Sequence, residues 1–319
     1  MPKDIISKER MEIGFQSDIC TVYEYEDEAG SLLIADHQIY PGIQMVYKDF
    51  HRENTILELE APPENTFIIE HCHKGRVECR RVECRLEDFY FYLTDGDICL
   101  RHRTPGKHII EFPMEHYQGI DILVDVEKVP RCLSCLLPDV DVEPARLVKK
   151  FGLDDRSFHF LRQNRRLAHI FSELYDIPES IRRGYVKVKI LEILLFLTGM
   201  ELEEDAARKL APKQVRIAKE AHTYLAENMH KHITIAQLAQ QFGVSETYLK
   251  DSFRMVYGTT VQGFIAEQKM REAAQALLVT DRKVTEIAAE YGYANPSKFS
   301  TAFRRVMGVT PQEYRMKGQ

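Results

Sequence analysis

Along the first 143 residues the apolar positions recur at every second residue. Gly119-Ile120-Asp121-Ile122-Leu123-Val124-Asp125-Val126 alternates apolar with polar, the pattern of a half-buried strand. Ile43, Met45 and Tyr47 keep the same period, as do Phe67, Ile69 and His71. Turn-forming clusters (Pro62-Pro63-Glu64-Asn65, Asp95-Gly96-Asp97, Thr104-Pro105-Gly106) cut the runs at short intervals. Short strands so punctuated predict a sandwich or a barrel. The pentapeptide Arg-Val-Glu-Cys-Arg stands at 76–80 and again at 81–85; it predicts one strand region whose charged face meets solvent.

After Pro144 the period lengthens to that of helices, over Leu161–Tyr175 and Gly184–Met200. The second of these is apolar on most sides, so it is expected to pack on another domain or subunit through Leu191, Leu194 and Leu195. A polar stretch with a proline, Glu201 to Lys213, marks a boundary. Three segments are therefore expected: a β domain at 1–143, a helical connector and dimerisation segment at 144–210, and an all-helical domain at 211–319. The fold class is α+β.

In the last segment Val215, Ala218, Ala221, His222 and Leu225 line one helix face. Ile235 to Phe242 forms a second helix, with Thr234 as its N-cap. Gly243-Val244-Ser245 supplies a left-handed turn, an apolar plug and a serine cap for a helix from Glu246 to Tyr257, stopped at Gly258. Two helices joined by so short a glycine turn make a helix-turn-helix. The pattern returns about fifty residues on. Val284, Ile287, Ala288 and Tyr291 form a face, Gly292-Tyr293-Ala294-Asn295 a turn, and Pro296 opens a helix to Met307. Phe299 and Phe303 repeat the spacing of Leu249 and Phe253, and Gly308 repeats Gly258. One long helix, Val261 to Leu278, lies between the units. A single such pattern arises in many helical bundles; two in register need an explanation.

Charge sharpens the division. From Ala211 to Gln319 there are 15 Lys+Arg against 10 Asp+Glu, while the rest of the chain carries 28 against 39. A basic tail behind an acidic body predicts that the tail meets a polyanion. Of the 319 residues, 44% are hydrophobic and 29% charged, a globular balance. The longest apolar stretch, Ile190 to Met200, is too short to span a membrane, and Met1 to Met11 lacks a signal-peptide core. Seven cysteines, an odd number, in a chain of this size predict reduced thiols and a cytoplasmic protein.

The run Ile235…Leu238-Ala239…Ser245…Tyr248-Leu249…Phe253…Gly258, then Met270…Ala273, then Ile287-Ala288…Gly292-Tyr293…Phe299…Phe303…Gly308-Val309-Thr310-Pro311…Tyr314-Arg315 resembles the DNA-binding domain of AraC/XylS-type transcriptional regulators. The resemblance implies two recognition helices in successive major grooves, held by the linker helix. By position it implies that Ser245, Glu246, Thr247, Lys250, Asp251 and Arg254 face DNA from the first unit, and Ser297, Lys298, Ser300, Thr301, Arg304 and Arg305 from the second. The family commonly has arginine where this chain has Asp251 and Thr301. Asn295 to Ser300 looks like the branch that includes siderophore-responsive regulators. The resemblance further implies a cupin-like N-terminal barrel that binds a small-molecule effector, a homodimer, activation of transcription and contact with RNA polymerase.

Other chemistry is weighed against this. His71 and His73 share a strand face and Glu78 follows, which resembles the first metal motif of cupins, with His108 as a candidate fourth ligand. Imidazoles plus a carboxylate suit iron, manganese or zinc. The glycines flanking that motif are missing, since Asn65 and Arg85 stand in their places. The alternative function is accordingly a metal-dependent cupin oxygenase or isomerase with a DNA-binding tail. Cys132 and Cys135 have redox or zinc spacing without a second pair, and Cys72, Cys79 and Cys84 read as small buried hydrophobes. No phosphate-binding glycine loop or Ser/His/Asp arrangement stands out, and no cofactor is expected.

Overall fold

The alternating apolar residues and their turn punctuation produce twelve strands among the residues that the computed structural model describes: 5–52, 55–59, 62–81, 90–102, 108–130, 133, 142–153, 158–162, 164–201, 210–229 and 233–317. They are β1 (Ile5–Ser7), β2 (Glu12–Gln16), β3 (Cys20–Asp27), β4 (Gly30–Tyr40), β5 (Ile43–Arg52), β6 (Ile56–Leu59), β7 (Thr66–Arg81), β8 (Tyr90–Thr94), β9 (Ile98–His102), β10 (His108–Glu111), β11 (His116–Asp125) and β12 (Phe158–Leu161). The strand order is β1-β6-β10-β7-β11-β5-β4-β3-β2, and β7 pairs also with β8 and β9. With sixteen residues, β7 runs through the whole sheet, which curls into a half-barrel.

Period-two alternation sorts the strands into two cores. On one face Ile43, Met45, Phe67, Ile69, Ile120, Ile122 and Val124 pack with α1 (Pro144–Lys150), α2 (Arg165–Ser172) and α3 (Arg182–Gly199). On the other, Leu32, Ile34, Phe50, Cys72, Val77, Leu93 and Tyr117 fill the half-barrel. The α3 helix is thus packed on its own barrel: Leu194 is fully buried in this core and Leu191 lies against it, whereas Leu195 and Val188 are 41% and 62% exposed.

Two expectations are corrected. Leu161 ends β12, opposite Ile98, and the helix begins only at Arg165, where the Asn164 side chain accepts from Leu167 N at 3.1 Å. The cap, rather than the apolar spacing, sets that start. Arg76 and Glu78 are buried rather than solvent-facing. Glu78 lies where β7 is paired on both sides, opposite Tyr92 and Glu111, and Arg76 pairs with Thr94 of β8; the Tyr92 hydroxyl donates to Glu78 while the Arg76 guanidinium sits 5.2 Å over the Tyr92 ring. The second pentapeptide copy beyond Arg81, Asn65's counterpart Arg85, Cys84, and the pair Cys132 and Cys135 lie outside the described residues, as does most of the Glu201–Lys213 stretch.

The chain divides into two compact units, Met1–Pro212 and Lys213–Gln319. The second consists of helices: α4 (Pro212–Glu227), α5 (Ile235–Gln241), α6 (Glu246–Tyr257), α7 (Val261–Val279), α8 (Val284–Glu290), α9 (Pro296–Met307) and α10 (Pro311–Lys317). The nineteen-residue α7 serves two cores. Near its start Phe264 meets His222 with ring centroids 4.4 Å apart and Phe253 at 5.8 Å. Further along, Met270, Ala273, Ala274 and Leu277 pack on Ile287, Ala288, Phe299 and Phe303. Arg315 ties α10 back, donating to Leu277 O at 3.1 Å and Arg282 O at 2.7 Å.

Candidate nucleic-acid interface

Each recognition helix is positioned by local chemistry. Thr234 caps α5 in a reciprocal box: Gln237 N donates to its hydroxyl at 3.2 Å and Thr234 N to Gln237 Oε1 at 2.9 Å. The turn then closes on α5 through Val244 N to Ala239 O at 3.1 Å and Gly243 N to Gln240 O at 3.2 Å. The Ser245 hydroxyl accepts from Tyr248 N at 3.2 Å and starts α6. The second unit reuses the same bonds 49 positions on, Tyr293 N to Ala288 O at 2.8 Å and Gly292 N to Ala289 O at 3.0 Å. Asn295 replaces the serine cap, accepting from Ser297 N at 2.9 Å. Both helices end on residues in the left-handed region, Gly258 at φ 73° and Gly308 at φ 77°, where a Cβ is penalised. The correspondence extends to Thr260 and Thr310, whose hydroxyls accept from Gly263 N at 3.0 Å and Glu313 N at 3.3 Å.

Burial separates an inward from an outward face on each helix. Leu249, Phe253, Phe299 and Phe303 are fully buried. Ser245, Glu246, Thr247, Lys250, Asp251 and Arg254 are exposed, as are Ser297, Lys298, Thr301, Arg304 and Arg305, with Ser300 half-buried. Lys250 pairs with Glu246 at 3.0 Å, both about half exposed, and the Thr301 hydroxyl turns back to Ser297 O at 2.9 Å. Ser300, Thr301, Arg304, Arg305 and Thr310 line an open depression of about 430 Å³. A row of short polar and long cationic side chains on a rigid helix can grip phosphates and read base edges.

In the half-barrel the sequence singled out His71, His73, Glu78 and His108; among the described side chains, the two histidines meet Phe171 and Tyr175 while Glu78 meets Tyr92. The His71 ring stacks on Phe171, centroids 4.5 Å apart, and its Nδ1 shares a hydrogen bond of 2.9 Å with the Tyr175 hydroxyl. Burial, reinforced by His73, pushes His71 down to about 3. The His73 ring stacks on Tyr175 at 4.0 Å, and Glu78 takes the Tyr92 hydroxyl. The side chain of His108 lies outside the described residues. Among the described residues, the His/Cys/Asp/Glu set whose donor atoms converge is a different one, Asp49, His51 and His116. Spacing along the chain gave no sign of it, because His51 and His116 meet only through the β5–β11 register.

The half-barrel also buries an ionic cluster that the sequence did not signal. Lys48 Nζ lies 2.6 Å from Asp121 and Arg101 Nε 3.2 Å from Glu70, all four nearly excluded from solvent. Burial alone would lower the Lys48 ammonium, but Asp121 and Glu70 outweigh it and hold it above its usual value. Asp121 Oδ1 and the Tyr117 hydroxyl are buried without hydrogen-bond partners among the described residues, a costly arrangement unless something polar meets them.

Two capped helix-turn-helix units on one linker helix define a DNA-binding module of the double type. A family model described as a helix-turn-helix domain matches residues 238–317. The regulatory protein SoxS of Escherichia coli strain K12 is 31% identical over 100 residues, covering 31% of this chain and 94% of SoxS. The chain belongs to the AraC family of transcriptional regulators. The virulence regulon transcriptional activator VirF of Yersinia enterocolitica is 30% identical over 145 residues, 45% of this chain and 52% of VirF; the match thus spans about half the length of that relative. The solved structure of ToxT from Vibrio cholerae is 11% identical over 86% of this chain and 98% of ToxT, with a TM-score of 0.29. Among the described residues no helix is long and apolar enough to cross a membrane.

Proposed function

We propose that the chain is a sequence-specific regulator that binds promoter DNA through α6 and α9 and answers a small effector held in the half-barrel. One observation carries the first part: the same turn and helix-stop geometry occurs twice, fifty residues apart, each time presenting an exposed polar and cationic helix. Lys250, Arg254, Lys298, Arg304 and Arg305 supply phosphate and base contacts, while Glu246, Thr247, Ser297, Ser300 and Thr301 are the polar readers; Asp251 shares their face without gripping phosphate, and Ser245 contributes chiefly as the cap. The unpaired Asp121 Oδ1 and Tyr117 hydroxyl support an effector with hydrogen-bonding groups. A homodimer formed through the exposed Val188 and Leu195 strip of α3, a cytoplasmic location, activation and contact with RNA polymerase complete the reading.

The test is binding of the full chain to DNA selected by it from a random pool. Arg254→Ala and Lys298→Ala should each weaken that binding. The proposal fails if neither change matters, or if the chain selects no sequence.

A further inference from the structure

The unit that holds the half-barrel carries a second constellation, on the sheet face that α2 and α3 cover. The β5–β11 register sets His51 directly opposite His116, and Asp49 lies two residues before His51 on the same face. The two rings stack with centroids 4.5 Å apart. Asp49 Oδ1 is 3.1 Å from His51 Nε2 and 3.6 Å from His116 Nε2, and the three donor atoms lie within 4.8 Å of one another. Donors held about 2.0–2.1 Å from a tetrahedral zinc ion stand about 3.3 Å apart, so two of the edges already have that length.

The carboxylate adds an independent observation. Its Oδ2 accepts from the Tyr47 hydroxyl at 3.1 Å and from Gln118 Nε2 at 3.3 Å, and Gln118 also donates to the Tyr47 hydroxyl at 2.7 Å. Its Oδ1 is buried and takes no hydrogen bond of good geometry, although His51 Nε2 and His116 Nε2 are 3.1 Å and 3.6 Å away. One oxygen anchored by neighbours and the other left bare is how a metal-ligating carboxylate is usually held. The rival explanation is an ion pair with a protonated imidazole. It sits poorly with the missing hydrogen bond.

We propose that Asp49, His51 and His116 bind one divalent transition-metal ion of the zinc class, through one carboxylate oxygen and two imidazole nitrogens, with water in the remaining position. Two imidazoles with one carboxylate suit zinc, cobalt, nickel or iron, whereas calcium and magnesium call for all-oxygen sites. The His51 side chain is 59% exposed and that of His116 40%, which leaves the site open to solvent. Stacked rings do not aim their lone pairs at one point, so binding tilts the more exposed His51 ring out of the stack. Lys74, close enough to act on His116, opposes the ion and sets a limit on its affinity. The bound ion clips β5 to β11 and uses none of the residues assigned to DNA.

The full chain, stripped with a chelator, is titrated with zinc chloride by calorimetry and with cobalt(II) by visible absorption. One equivalent should bind with visible d–d bands of four-coordinate cobalt and no thiolate charge-transfer band, and excess calcium or magnesium should not displace it. His51→Ala and His116→Ala should each remove that equivalent. Tyr47→Phe should keep it with affinity about tenfold weaker, and His73→Ala should leave it intact. Circular dichroism verifies each variant; because His51 is exposed, His51→Ala decides the matter even if His116→Ala unfolds. The proposal is overturned if no saturable equivalent is found. It is equally overturned if His51→Ala binds as many equivalents as tightly as the parent, if the lost band is a thiolate one, or if calcium competes.

Discussion

Asp251 stands on the outward face of α6 with its carboxylate exposed and no ion-pair partner among the described residues. The residue before it, Lys250, is held by Glu246 at 3.0 Å, and both side chains are about half exposed. Such an i,i+4 pair contributes only about 0.3–0.5 kcal/mol, so DNA can take Lys250 from Glu246 at little cost. Asp251 itself is repelled by phosphates unless it accepts from a cytosine amino group. Asp251→Arg replaces the repulsion with a cation that Arg254 on the same face can extend. If that arginine reaches one phosphate, the log–log salt slope should steepen by about 0.9. Over a fourfold rise in salt, from about 50 to 200 mM, that is an extra loss of about 3.5-fold relative to the parent. At low salt, binding to all sequences should strengthen. If Asp251 reads cytosine, the same change should instead weaken the selected site by about 1–3 kcal/mol and relax one base pair. Fluorescence anisotropy on selected and scrambled duplexes at several salt concentrations separates the two. Unchanged affinity and slope on both duplexes would refute the placement of α6 against DNA.

Three further outcomes follow from the packing. Phe303 is fully buried in the second helical core, so Phe303→Ala should destabilise that unit by about 3–5 kcal/mol in urea titration; a loss below about 1 kcal/mol would mean the core is not assembled as described. His71 is pushed down to about 3 by burial and then by His73, so it stays neutral when folded while the unfolded chain takes up a proton near pH 6.5. Its stabilising effect is complete above about pH 6.5 and is lost as pH falls toward 3, by up to about 1.4 kcal/mol per pH unit; His71→Leu should flatten that limb of the stability–pH curve, and an unaltered limb would assign it to other groups. On α3, Leu194→Lys should unfold the first unit, because Leu194 is fully buried, whereas Leu195→Lys should leave it folded and convert a dimer to a monomer in sedimentation. A dimer that survives Leu195→Lys would place the interface elsewhere.

The helix-turn-helix units were legible residue by residue because their limits are set by short-range chemistry. Ser245, Gly258, Pro296 and Gly308 act on bonds no more than four positions away, so α6 and α9 begin and end where their caps and stops put them. The same holds for the exposed faces, since burying Leu249 and Phe253 turns Lys250, Asp251 and Arg254 outward by helical period alone. Alternation likewise revealed strands at Ile43, Phe67 and Gly119–Val126. It did not reveal their partners, because pairing joins residues far apart in the chain. That is why the charged residues Arg76 and Glu78, expected at the surface, are buried: β7 is covered by neighbours whose identity no local pattern encodes. It is also why His71 and His73, two residues apart and alike in sequence terms, are packed against Phe171 and Tyr175. The converging triad instead draws Asp49 and His51 from one strand and His116 from another. Local chemistry determined the helical half of the molecule; strand register, a property of the assembled sheet, decided which polar side chains of the other half meet.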